Sequence, residues 1–175
     1  GHERVIAALA KLPGFARLIA GEGPERASLE ALAAAQGVSG RVRFLGSVPH
    51  RELARIYSAA DALVLASSRE GWPNVLLEAM ACGTPVVASN VWGAPELVCD
   101  AAAGVLMPAL SAEGVAAGVN TLFAALPIRD ATRRFAERYS WDETTAGQIQ
   151  LFEEILRGRT ATATATTPTL RARAL

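Results

Sequence analysis

Arg69–Ser89 reads REGWPNVLLEAMACGTPVVAS, a run that holds a glycine turn, a helix start, two glutamates and a strand. Glu70 and Gly71 follow the apolar segment Ala62–Ala66. Pro73 suits a first helical position, where the N–H it lacks would be unpaired anyway. Helix-forming residues continue from Asn74 to Ala81, until Gly83-Thr84-Pro85 stops them. Pro85–Ser89 is short, β-branched and without polar alternation, as a parallel strand covered on both faces should be. The local unit is strand, glycine loop, helix, strand.

The first turn of a helix leaves backbone N–H groups unpaired, and the macrodipole adds partial positive charge there. Pro73 cannot donate, so the amides of Asn74, Val75 and Leu76, with Gly71 in the loop, are the expected donors. They make an anion site suited to a phosphate or diphosphate. Glu70 stands just before the helix and Glu78 about one turn inside it. A carboxylate accepts two hydrogen bonds, which matches the vicinal hydroxyls of a ribose or hexose. Spacing alone fits equally a capping Glu70 and a solvated Glu78 on an ordinary βαβ unit.

Glu70 and Glu78, with seven residues between them and AMACGTPVVAS following, resemble the signature of the retaining glycosyltransferases of family 4. The resemblance extends from Gly1 to about Leu156. It implies the C-terminal half of a GT-B enzyme, in which two Rossmann-like domains face a cleft and the second binds a nucleotide-sugar donor. By the same resemblance Glu70 contacts the transferred sugar, positioning it rather than attacking it, and is the catalytic candidate. Glu78 binds the ribose diol, and the loop Gly71, Trp72, Pro73, Asn74, Val75 and Leu76 holds sugar and phosphates. The Trp72 ring fits packing as well as ligand contact. The implied reaction passes a hexose from a UDP- or GDP-sugar to an acceptor hydroxyl with retention. No metal or other cofactor is expected, and the sequence holds no Asp-x-Asp pair.

Composition agrees with one globular α/β domain. The chain has 175 residues, 51% of them hydrophobic, and equal numbers of acidic and basic side chains. That neutrality gives no electrostatic case for nucleic acid or an anionic membrane. No apolar run reaches membrane-spanning length, and a cytoplasmic setting is the default, or a membrane-peripheral one for a longer enzyme. Cys82 and Cys99 have no metal-like spacing, and Cys82 reads as a small buried filler.

Along the chain, Gly1–Leu12 is helical, Ala16–Ala20 a strand, and Pro24–Gln36 a helix. Gly21-Glu22-Gly23-Pro24 lacks the third glycine of a dinucleotide fingerprint. Gly21 and Gly23 serve either a tight turn or, by resemblance, the nucleotide. The strand Val42–Leu45 leads to Gly46, Ser47 and Val48, which by resemblance lie beside the base. His50–Ala60 is a helix with Leu53, Ile56 and Tyr57 facing inward and His50 at its surface. After Ser89, Gly93 is placed to let backbone approach a donor. Val105–Met107 is a last strand, followed by helices at Ala112–Leu126, Ile128–Tyr139 and Trp141–Leu156, the last capped by Ser140 with Glu143 in a capping box. Residues 158–175, with alternating Ala and Thr, read as a disordered tail, leaving a donor domain over residues 1–157.

Strands alternating with helices predict a parallel, Rossmann-like sheet with helices on both faces, its ligand at the carboxyl ends of the strands. The resemblance also implies a strand ahead of Gly1, ending in a basic pair, and an N-terminal acceptor-binding domain. The expectation is therefore a truncated donor domain that does not transfer sugar alone. Without a central first strand, its neighbours either close on each other or keep unpaired backbone groups. A non-catalytic nucleotide-sugar-binding fragment and a related sugar-nucleotide epimerase are the alternatives.

Overall fold

The computed structural model describes residues 1–164, with backbone alone at Glu143 and over 158–164. Residues 1–138 form one compact unit and residues 139–164 belong to a second. The first unit begins with α1 (His2–Leu9), β1 (Arg17–Ala20), α2 (Arg26–Ala35), β2 (Val42–Gly46) and α3 (His50–Ala59). It continues with β3 (Leu63–Leu65), α4 (Asn74–Ala81), β4 (Val86–Ser89), α5 (Ala94–Leu97), β5 (Gly104–Met107), α6 (Ala112–Ala124) and α7 (Arg129–Ala136).

Every strand pair is parallel, and helices cover both faces, as the alternation predicts. β4 is the centre of a three-stranded sheet ordered β3-β4-β5, and all four of its residues are buried. Val87 faces α1 and α6 among Val115, Val119 and Met107. Small residues permit that approach: a Cβ at Gly118 would lie 2.8 Å from Val87 Cγ1. Gly104, at φ 141°, presses against the Val86 carbonyl, a placement closed to any side chain.

The sheet is divided. β1 pairs only with β2, in a separate two-stranded sheet. Of the two outcomes expected for strands lacking a central neighbour, β1 and β3 have not closed on one another. A cleft of about 900 Å³ lies between them, lined by Leu18, Ile19, Leu63, Val64 and Leu65. Arg17 lines it too, with a buried Nε that has no hydrogen-bond partner, and burial brings its guanidinium pKa down to about 10.

Helix α1 and the turn after it join the halves. Val5, Ala8 and Leu12 enter the core around β4, whereas Ile6 and Leu9 enter the one formed with Ile19, Leu29 and Val38. Each such buried Val, Leu or Ile side chain contributes about 1.5–3 kcal/mol. Arg41 fixes the end of α1 and the turn after it, donating to the carbonyls of Leu9 (2.8 Å), Leu12 (2.7 Å) and Phe15 (2.9 Å), of which Leu9 and Leu12 also accept a backbone N–H.

In the second unit, α8 spans Trp141–Thr164, past the Leu156 end expected from sequence. The alanines that suggested a tail are strong helix formers, and each added residue extends the ladder by one bond. Residues 165–175 of that expected tail, and the Glu143 side chain of the expected capping box, lie outside what is described. Ser140 Oγ accepts the Asp142 N–H at 3.1 Å, as an N-cap does. Trp141, Phe152 and Leu156 are exposed.

Leu63 N–H donates to the Pro85 carbonyl, on the β4 side. Successive residues of a parallel strand address opposite sides, so the Val64 amide faces the cleft. Native-state hydrogen exchange should be at least about tenfold faster at Val64 than at Val87. Equal protection would show that the β3 edge is covered.

Candidate functional site

Most of the predicted residues lie on loops at the carboxyl ends of the strands, in two groups, and Asn74, Val75, Leu76 and Glu78 lie on α4. In the first, Gly21 N–H donates to the Gly46 carbonyl at 2.7 Å, joining the loops after β1 and β2. Both glycines have positive φ, 127° and 73°, so neither tolerates a side chain cheaply. A Cβ on Gly46 would also meet Glu22 Oε1 at 2.9 Å. Gly23 has open space around it, and its carbonyl accepts the Arg26 N–H at 3.2 Å, as a turn residue would. Ser47 is exposed and Val48 half-buried.

In the second group the loops after β3 and β4 meet. Gly93 packs against the Gly71 carbonyl, and a Cβ there would lie 3.4 Å from the Trp72 ring. Trp72 is 46% exposed and Trp92 68%. Trp92 has φ 44°, a left-handed conformation that costs a bulky residue about 1–3 kcal/mol. Ser89 Oγ, buried at the end of β4, donates to the Ser67 carbonyl at 2.7 Å and anchors the loop carrying Glu70. Glu70 is half-buried and has neither hydrogen bond nor ion pair among the described residues.

The α4 N-terminus corrects one expectation. Pro73 is the N-cap rather than the first helical residue, because its ψ of 82° holds it outside the helix. The turn tightens in consequence. Asn74 N–H donates to the Trp72 carbonyl and Leu76 N–H to the Pro73 carbonyl, each at 3.0 Å. Two of the three amides expected to face an anion are therefore already engaged, and Val75 keeps its donor. The Leu76 side chain is fully buried core.

Glu78 sits on the half-exposed face of α4 toward α3, 38% exposed. Tyr57 Oη donates to its Oε2 at 3.1 Å, and His50 Nε2 lies 3.7 Å from its Oε1. Burial first, then the bond to Glu78 and its charge, push the Tyr57 phenol up to about 12, so it remains a donor through neutral pH. Behind it, fully buried Thr84 donates to the Tyr57 carbonyl at 2.6 Å and accepts Arg129 Nη1 at 3.2 Å. Arg129 Nη2 holds the Ala60 carbonyl at 2.6 Å. Sequence reading placed Tyr57 only as an inward-facing helix residue and gave no part to Thr84 or Arg129. The available signal was the polar tip of a tyrosine on an otherwise apolar helix face. Cys82, expected buried, is half-buried at the C-cap of α4.

Residues 1–138 match the family model described as "Glycosyl transferases group 1". The chain is 35% identical to a D-inositol 3-phosphate glycosyltransferase of Segniliparus rotundus, over 90% of this chain and 38% of that protein. It is 38% identical to the lipopolysaccharide core biosynthesis glycosyltransferase LpsE of Rhizobium meliloti, over 85% of this chain and 42% of LpsE. A sucrose-phosphate synthase of Thermosynechococcus elongatus superposes with TM-score 0.74 and 31% identity, covering 90% of this chain and 43% of the synthase. Anabaena HepE in complex with UDP and glucose gives TM-score 0.75 and 27% identity, covering 90% and 45%. The chain thus spans less than half the length of these relatives. Among the described residues no helix is long and apolar enough to cross a membrane.

Thr84→Val keeps the shape of the side chain and removes the hydroxyl shared by Tyr57 and Arg129. It should destabilise the chain by about 1–3 kcal/mol, because a buried carbonyl and a guanidinium N–H each lose a partner. Denaturant unfolding measures this; an unchanged midpoint would mean that the hydroxyl contributes nothing.

Proposed function

The chain belongs to the group 1 glycosyl transferases, and we propose that it forms the donor-binding part of a retaining, family 4 type hexosyltransferase. In this reading a UDP- or GDP-sugar lies along the carboxyl ends of the strands. The base adjoins Gly46, Ser47 and Val48, with Gly21 and Gly23 nearby. Glu78 accepts hydrogen bonds from the ribose diol, Val75 N–H and the Gly71 loop address the diphosphate, and Glu70 orients the transferred sugar. Oriented N–H dipoles at the helix start favour a developing negative charge, so metal-free departure of the nucleotide is the reaction proposed.

The observation that carries the reading is the state of Glu78. Its carboxylate is held by a tyrosine on one oxygen, is accessible on the other, and stands on the helix of the motif that matches the family. A carboxylate serving only solubility needs no half-buried phenol to orient it. The HepE structure with UDP and glucose supports a nucleotide-sugar donor by similarity.

An acceptor-binding domain and cations that neutralise the leaving diphosphate are the further parts such an enzyme requires. Sugar transfer is accordingly proposed for the complete enzyme, in the cytoplasm or at a membrane surface, and not for these 175 residues alone. Measured transfer by the purified chain would overturn that restriction.

Titration with UDP and GDP, followed by amide NMR, tests donor binding directly. One nucleotide should shift Gly71, Val75 and Glu78, and Glu78→Gln should weaken it tenfold or more, since bonds to a charged acceptor contribute about 1.5–3 kcal/mol. A folded chain that responds to neither nucleotide would overturn the reading.

A further inference from the structure

Glu78 is an unusual surface carboxylate because its freedom has been removed from one side only. Tyr57 approaches from α3, a different element, and the phenol can only donate to the ionised group. That bond takes one lone pair of Oε2 and restrains the carboxylate on that side. Oε1 stays unbonded: His50 Nε2, at 3.7 Å on a largely exposed imidazole, is beyond hydrogen-bond reach. The backbone that carries the phenol is itself held. Thr84 holds the Tyr57 carbonyl, Arg129 holds Thr84, and Arg129 also ties down the last turn of α3 through Ala60. Three residues, Tyr57 on α3, Arg129 on α7 and Thr84 in the loop after α4, thus link into one chain of bonds that ends at this carboxylate.

We propose that Tyr57 is a positioning residue whose bond to Glu78 sets the preference of this site for a ligand bearing a vicinal diol. The proposal rests on the reading of Glu78 as the ribose acceptor. An acceptor restrained before binding spares the ligand part of the entropy of ordering it. A free glutamate would instead populate several rotamers and be solvated on both oxygens. The diol is the only part of a nucleotide that gains from this arrangement. Removing the phenol should therefore weaken diol recognition and leave base and diphosphate contacts as they were.

The experiment compares UDP with 2′,3′-dideoxyuridine diphosphate, and in parallel GDP with its dideoxy analogue, by calorimetric titration. The 175-residue chain should prefer the natural nucleotide of the pair it binds by about tenfold or more, as expected when a site built for hydroxyls meets an analogue lacking them. Tyr57→Phe should reduce that preference to about threefold or less, with affinity for the dideoxy form changed by less than about twofold. In a Glu78→Gln background Tyr57→Phe should have no further effect on the preference, because the two residues act as one unit.

The outcomes separate. A wild-type chain that binds both members of a pair equally refutes the diol reading of Glu78, and this proposal with it. A wild-type preference that survives Tyr57→Phe refutes positioning alone. Equal loss of affinity for both members means that Tyr57 is merely structural, which also overturns the proposal. Should Tyr57→Phe not fold, the unmutated chain still decides. The Tyr57 ring carbon resonance should shift with the natural nucleotide and not with the dideoxy form. A resonance indifferent to both overturns positioning.

Discussion

The burial of β4 on every side is the constraint from which the rest of the first unit follows. A strand paired along both edges and covered on both faces accepts only apolar or small residues, and Val86–Ser89 supplies them. Its neighbours have yielded to it: Gly104 and Gly118 bring a strand and a helix closer than any side chain would allow. Because β4 cannot shift, the loops at its carboxyl end cannot shift either. Ser89 ties the Glu70 loop to it, and Gly93 packs onto the Gly71 carbonyl. The precision of the candidate site is borrowed from the core beneath it.

The chemistry is arranged across the gap between α3 and α4. Glu78 alone is a half-exposed carboxylate of a common kind. Tyr57 donates to one of its oxygens, and the buried hydroxyl of Thr84 holds the Tyr57 backbone carbonyl. Each partner is ordinary, and the order lies in the sequence of bonds from Arg129 outward.

Strands and helices of the first unit were legible because apolar runs alternate with alanine- and leucine-rich stretches punctuated by glycine and proline. Gly21 and Gly46 were readable as turn glycines, though that they bond to each other was not, since twenty-odd residues of sequence separate them. Pro73 fits both N-cap and first helical position by composition. Its ψ decides, and with it the fate of the Asn74 and Leu76 amides. Tyr57 was visible as an inward residue, but a hydrogen bond made by one terminal atom leaves no trace in helical periodicity. The extent of α8 was misjudged because an Ala-Thr alternation lacks an apolar stripe, and intrinsic propensity extends a helix without one.

The division of the sheet has a mechanical meaning. Gly21 and Gly46 stand on one plate, Gly71 and Gly93 on the other, and no backbone ladder crosses between them. What spans the division is side-chain packing, with α1 wedged into both cores. Side-chain packing tolerates small sliding that a ladder forbids. A ligand reaching from Gly46 to Gly71 would therefore act as a cross-brace, stiffening the molecule along the one direction in which its own hydrogen bonds do not.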